Sequence, residues 1–128
     1  MHSELERNIP GNSNWEGSFY EQLTENCEWD SKSFWELHLE LVNIAKNQNS
    51  DGDIPVGLAY NLLYLQERVL NLITAHFTKN DIYKIENINA EQIYEFKERF
   101  EMAILGAVSG KVVPESSFNL VNPLLKNA

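Results

Sequence analysis

The chain has 128 residues, of which 43% are hydrophobic and 11% aromatic; that is enough for one core and too short for two conventional domains, so a single domain over 1–128 is expected. The same apolar fraction excludes intrinsic disorder, because disordered chains lack the buried surface that offsets the entropy of ordering. Nineteen acidic against ten basic residues, a formal charge of -9, repel phosphate, which argues against direct contact with nucleic acid or an anionic membrane and favours a basic partner.

Residues 1–17, with Pro10, Gly11 and Gly17 among polar neighbours, predict an irregular arm with Ile9 and Trp15 as its anchors. Ser18-Phe19-Tyr20-Glu21 matches a capping box, as does Ser33-Phe34-Trp35-Glu36, so helices are expected from Ser18 to about Cys27 and from Ser33 to about Asn47. Their spacing turns Phe19, Leu23 and Cys27 inward in the first, and Phe34, Leu37, His38, Leu41, Val42 and Ala45 inward in the second. Glu21, Glu25 and Glu28 then share one outer face; Glu36, Glu40, Asn43 and Asn47 share the other.

Pro55 suits the first turn of a third helix running to about Phe77. Its apolar residues point in nearly every direction, which predicts a central helix contacted on several sides. Thr78 to Ile88 fits neither a clean strand nor a helix and is expected as a packed connector. Asn89-Ala90-Glu91-Gln92 supplies a cap and its reciprocal glutamine for a fourth helix whose inward face is Ile93, Phe96, Phe100, Ala103, Ile104 and Ala107. Glu95 and Arg99 are placed as a surface i, i+4 pair. Gly106, Gly110 and Pro114 end the regular structure, and the tail is expected to wrap back through Phe118, Leu120, Val121, Leu124 and Leu125. The predicted architecture is all-α: a compact bundle of about four main helices with irregular N- and C-terminal arms.

Catalytic and metal motifs are scarce. Asn47, Asn49, Asp51 and Gly52 imitate the start of an EF-hand loop, but Asn47 stands where the first aspartate belongs and Leu58 where the bidentate glutamate must be, so an ordinary polar turn is expected and no metal. His2, His38 and His76 lack zinc-ligand spacing; His38 is expected at the edge of the core. Cys27 has no cysteine partner for an internal disulfide and reads as a quiet packing thiol in a reducing cytoplasm, and no secretory signal opens the chain. The apolar stretch from Ile54 to Phe77 is broken by Asn61, Gln66, Glu67, Arg68 and Asn71, so no transmembrane helix is expected. With no phosphate loop, nucleophile elbow or His-Glu-x-x-His motif, neither an enzyme nor a cofactor is expected.

The acidity is uneven, with eleven acidic and three basic residues in 1–56 but eight and seven in 57–128. Glu21, Glu25, Glu28, Asp30, Glu36 and Glu40, interrupted only by Lys32, form the candidate partner-binding surface, since such a field steers a basic protein and then pairs with its arginines and lysines. Solubility alone is the bland alternative for acidic helix faces. Trp15 and Trp29 flank the first helix as interface anchors or as core.

Arg7-Asn8-Ile9-Pro10, Gly17-Ser18-Phe19, Trp29-Asp30, Phe34-Trp35-Glu36-Leu37, the run from Ala90 to Arg99, and Asn122-Pro123-Leu124-Leu125 together resemble the immunity protein 41 family. These are small helical immunity proteins of bacterial polymorphic-toxin and contact-dependent growth inhibition loci. The resemblance spans nearly the whole chain through short, mainly structural motifs. It implies a monomeric cytoplasmic inhibitor without catalytic residues, whose partner is the C-terminal domain of a cognate toxin, a basic nuclease being the expected type. Inhibition would follow from covering the toxin's active site or substrate groove. The competing class is a helical adaptor with an apolar interface and salt-insensitive binding.

Overall fold

The computed structural model describes residues 2–48 and 52–125. Five α-helices follow one another among these residues: α1 (Ser3–Glu6), α2 (Phe19–Asn26), α3 (Ser31–Asn47), α4 (Val56–Phe77) and α5 (Ala90–Ser109), with a 3-10 turn at Glu115–Ser117 and no strand. The all-α architecture with four main helices is as the sequence predicts. Asn49, Ser50 and Asp51, from the polar turn and the EF-hand-like run, lie outside the described residues.

The N-terminal arm is more regular than its composition predicts. α1 is a single helical turn whose Leu5 is fully buried, while the expected anchors Ile9 and Trp15 are only half-buried. A helix this short has no period to detect and is marginal alone. Tertiary contacts hold it: the Glu40 carboxylate on α3 accepts the Leu5 N–H. Buried Asn8 accepts the Tyr20 N–H at 2.8 Å, satisfying an amide in the first turn of α2.

Ser18 caps α2 as predicted, its Oγ accepting the Glu21 N–H at 3.2 Å, but the Glu21 carboxylate reaches back to Gly17 rather than to Ser18. Cys27 is not an inward-facing helical residue; it adopts a left-handed conformation at φ 55° and terminates α2. α3 begins two residues before the predicted Ser33, because Asp30 takes the cap position and accepts the Ser33 N–H at 3.4 Å. Both residue types cap well. Burial of Trp29 immediately before it fixes where the chain turns, and so chooses between them.

The middle of the bundle is α3 packed along α5, not α4. α3 buries Phe34, Trp35, Leu37, His38, Leu41, Ile44 and Ala45, and α5 buries all six residues predicted for its inward face. Phe19, Trp29, Phe34, Trp35 and Phe96 form one aromatic cluster in edge and tilted contacts. α4 lies on the outside against α1, α2 and α5, burying a stripe of Leu62, Leu65, Val69 and Ile73 and leaving Val56 85% and Leu63 60% exposed. Its apolar residues all round reflect composition rather than position: one face is enough to dock a surface helix.

The connector between α4 and α5 packs as predicted. Ile85 is buried, the Tyr83 hydroxyl donates to the Leu23 carbonyl, and Asn87 brackets Trp29 by bonding both its N–H and its carbonyl at 2.8 and 2.9 Å. The Asn89–Gln92 capping box forms in full, and α5 ends on Gly110 at φ 80°. Two expectations for the C-terminal part are corrected. Arg99 does not pair with Glu95 on the surface; it is 2% exposed and turned inward to Glu115. The tail does wrap back through Leu120, packed against the core, and half-buried Phe118 and Leu125, but Val121 and Leu124 are each 49% exposed and buried polar Glu115 and Asn122 share the anchoring.

Candidate functional site

The six acidic residues of the predicted surface separate into different environments. On α2, Glu25 is exposed and Glu21 is half-buried, its carboxylate occupied by the Gly17 N–H and the Gln22 side chain. Glu28 is exposed beyond the end of α2, and Asp30 is engaged as the cap of α3. Glu36 and Glu40 stand one turn apart on α3 and line one common concavity.

That concavity is an open groove of about 520 Å³ between α1, α3 and the C-terminal segment. Glu4 and His2 come from the N-terminal side, Glu36, Glu40, Asn43 and Asn47 from α3, while Leu39, Ile44 and Leu124 supply apolar surface. The α3 residues recur at helical spacing because they occupy the flank next to the buried face. Burial raises the Glu4 carboxyl above its usual value, Arg7 at 3.8 Å opposes this, and the charges of Glu36 and Glu40 add to the rise. Ion pairs among the described residues are Arg7–Glu4, Lys97–Glu101 and Arg99–Glu115, so neither Glu36 nor Glu40 has a basic side chain neutralising it there. A groove of this kind accepts the ammonium or guanidinium of an incoming side chain, with apolar walls for its methylene stem.

Sequence reasoning missed Glu4, His2 and Leu124 as members of this surface. α1 was not foreseen, and nothing local to Ser3–Glu6 or to Asn122–Leu125 says that both ends of the chain meet α3 at the same place.

A second constellation is buried. Arg99 Nη2 donates to Glu115 Oε2, Glu115 Oε1 accepts the Asn122 N–H at 2.7 Å, and the guanidinium lies 3.8 Å from the centre of the Phe118 ring. His38 sits between them, with Nε2 3.2 Å from Arg99 Nη2 and Nδ1 2.8 Å from Asn122 Nδ2. Burial first, then the Arg99 charge, push its pKa down to about 4 against the opposing effect of Glu115. A cavity of about 20 Å³, room for about one water, adjoins His38, Arg99 and Glu115. The Arg99 charge is thus committed to Glu115, and the node joins the C-terminal segment to α3 and α5.

The outer surface of α4 and α5 is a third feature. Val56, Tyr60, Leu63, Leu105 and Val108 are exposed, Tyr60 stacks on Tyr64 with Arg68 over the Tyr64 ring, and Phe77 stacks on Tyr94.

Among the described residues no three His, Cys, Asp or Glu side chains are grouped to hold a metal ion. No helix among them is long and apolar enough to cross a membrane. Comparisons of the chain with protein-family models, curated proteins and solved structures returned no match.

Proposed function

We propose that this chain is an immunity protein that binds the C-terminal domain of a cognate antibacterial toxin in the cytoplasm and neutralises it by covering the active site or substrate groove. The observation that carries this reading is the groove: Glu36 and Glu40 project from α3 beside Glu4 without basic partners among the described residues, next to the apolar surface of Leu39 and Leu124. The short motifs that resemble those of small helical immunity proteins point to the kind of partner. A toxin that cleaves nucleic acid carries a basic cleft for phosphate, and carboxylates on a rigid helix compete for that cleft. The long-range field of the acidic N-terminal half speeds encounter, and the groove then receives individual lysine or arginine side chains. On this reading the protein is a non-catalytic, monomeric inhibitor that needs no cofactor.

The adaptor reading is favoured by one specific observation, the exposed Val56, Tyr60 and Leu63 on α4, since exposed apolar surface of that kind marks contact sites.

The two are separated by co-expressing the chain with the product of the adjacent gene, scoring growth and capture, and repeating both with Glu4→Lys/Glu36→Lys. The immunity reading expects toxicity relieved by the native chain and capture that weakens about tenfold or more in the variant and on raising salt. Growth unaffected by the neighbouring product would overturn it. Capture that survives charge reversal and high salt but is lost in Tyr60→Ser/Leu63→Ser would establish the adaptor.

A further inference from the structure

The C-terminal segment from Val113 to Leu125 is fastened by buried polar groups as well as by Leu120, which packs against the core, and Phe118, which lies under the Arg99 guanidinium. Asn122 and Glu115 are 1% and 7% exposed, whereas Val121 and Leu124 are about half exposed. Asn122 is the hub: its N–H binds Glu115 Oε1, its Oδ1 accepts the Leu124 N–H at 2.8 Å, and its Nδ2 donates to the Trp35 carbonyl at 3.2 Å. Those bonds fix the orientation of the amide, so that it presents N–H to His38. Arg99, which has only donors, presents N–H to the other ring nitrogen.

His38 therefore lies between two donors. A neutral imidazole has one lone pair and satisfies one of them; an imidazolium has none and turns an N–H toward both. Protonation also adds a positive charge beside the Arg99 guanidinium, with Lys111 lining the same cavity and Glu115 the one acid facing the ring. The rings of Phe34 and Trp35 pack against it, and Val42, Ala45, Met102 and Ala103 line the adjoining cavity. The carboxylate facing the ring is already shared by Arg99 and the Asn122 amide, which leaves the aromatic faces of Phe34 and Trp35 as a weak attraction for its charge.

We propose that His38 and Asn122 form an acid-released latch: protonation of His38 expels Asn122 and frees residues 113–125 from the seam between α3 and α5, while the helices stay folded. Closed, the latch keeps the ring neutral; open, the ring reaches solvent and takes its ordinary protonation behaviour. Since Leu124 edges the acidic groove, releasing the segment also removes one wall of that surface. The latch rests on this geometry and not on the identity of the partner.

Hydrogen exchange followed by NMR over pH 7.5 to 4, with long-range 1H–15N spectra of the imidazoles, tests it on the full chain. With His38 at about 4 closed and 6.5 open, the protection of the Asn122, Leu124 and Leu125 amides, corrected for intrinsic rates, should fall about tenfold per pH unit below roughly 6.5. Interior amides of α3 and α5 should stay protected, and His38→Gln should abolish the pH dependence of the tail. Helix amides exchanging in step with Asn122 would mean global acid unfolding and overturn the latch. So would a His38→Gln tail that opens over the same pH range, which would make Glu115 the trigger. Should His38→Gln fail to fold, the native protein still decides: a ring that titrates near 6.5 while the tail amides remain protected is incompatible with the latch.

Discussion

Replacing Glu115 by glutamine removes the charge and one of its two acceptor oxygens, and so breaks the buried ion pair. In the native protein the Arg99 guanidinium is 2% exposed and Glu115 is its ion-pair partner. Desolvating a guanidinium costs several kcal/mol, and removing its counter-charge leaves that cost uncompensated, about 3 to 5 kcal/mol in buried pairs. The carboxamide oxygen of the Glu115→Gln side chain would still accept the Asn122 N–H now bound at 2.7 Å, which turns the carboxamide NH2 toward the Arg99 donor and puts the whole cost at the broken pair. For a chain of this length the melting temperature should drop by roughly 10 °C or more. Arg99→Met alone should also destabilise, because it leaves the carboxylate without its cation. The double variant Arg99→Met/Glu115→Gln should recover to within about 2 kcal/mol of the native protein, since an apolar side chain and a neutral amide require no charge desolvation. Urea denaturation of the four proteins, with unchanged m-values, measures the cycle. A loss below about 1 kcal/mol for Glu115→Gln, or a double variant as unstable as the sum of the singles, would refute the view that this pair is a coupled unit.

Gly106 lies in the last turns of α5, where alanine ordinarily stabilises by about 1 kcal/mol. A Cβ there would sit 2.6 Å from the Lys111 carbonyl oxygen, so Gly106→Ala should instead destabilise by about 1 to 3 kcal/mol in thermal or urea melts. Cys27 shows the reverse: its left-handed φ of 55° is strained for any residue with a Cβ, and Cys27→Gly should raise the denaturation midpoint by the equivalent of about 0.5 kcal/mol. His38 governs acid sensitivity. Its folded pKa is depressed from 6.5 to about 4, so the neutral ring's contribution is complete above 6.5 and declines as pH falls through that window, by at most about 3 kcal/mol and by less once the latch has opened. Stability measured from pH 7.5 to 4 should therefore decline less steeply in His38→Gln than in the native protein; parallel slopes would count against the assignment.

What residue order determines by itself is whatever is settled within a turn or two of backbone. The Asn89–Gln92 box starts α5 at its predicted residue, the stripe from Ile93 to Ala107 faces inward as its period requires, and Ser18 caps α2. Each depends on groups three or four residues apart, which a helix brings together wherever it sits in the molecule. The charge asymmetry is equally legible, because it is a sum over residues. Tertiary structure alone decided which helix is central: α4 carries apolar residues on all sides yet buries one stripe, because α3 had already taken the place beside α5. It also decided that Glu36 and Glu40 meet Glu4 in a groove, where Glu40 also accepts the Leu5 N–H of α1, while Glu21 and Asp30 are engaged at the starts of α2 and α3. The same holds for Arg99, which local spacing assigns to Glu95 on the surface. Its true partner lies 16 residues on, and its neighbour His38 lies 61 residues back. No periodicity links such positions; they meet because a guanidinium forced into the interior by helix packing must find a carboxylate there.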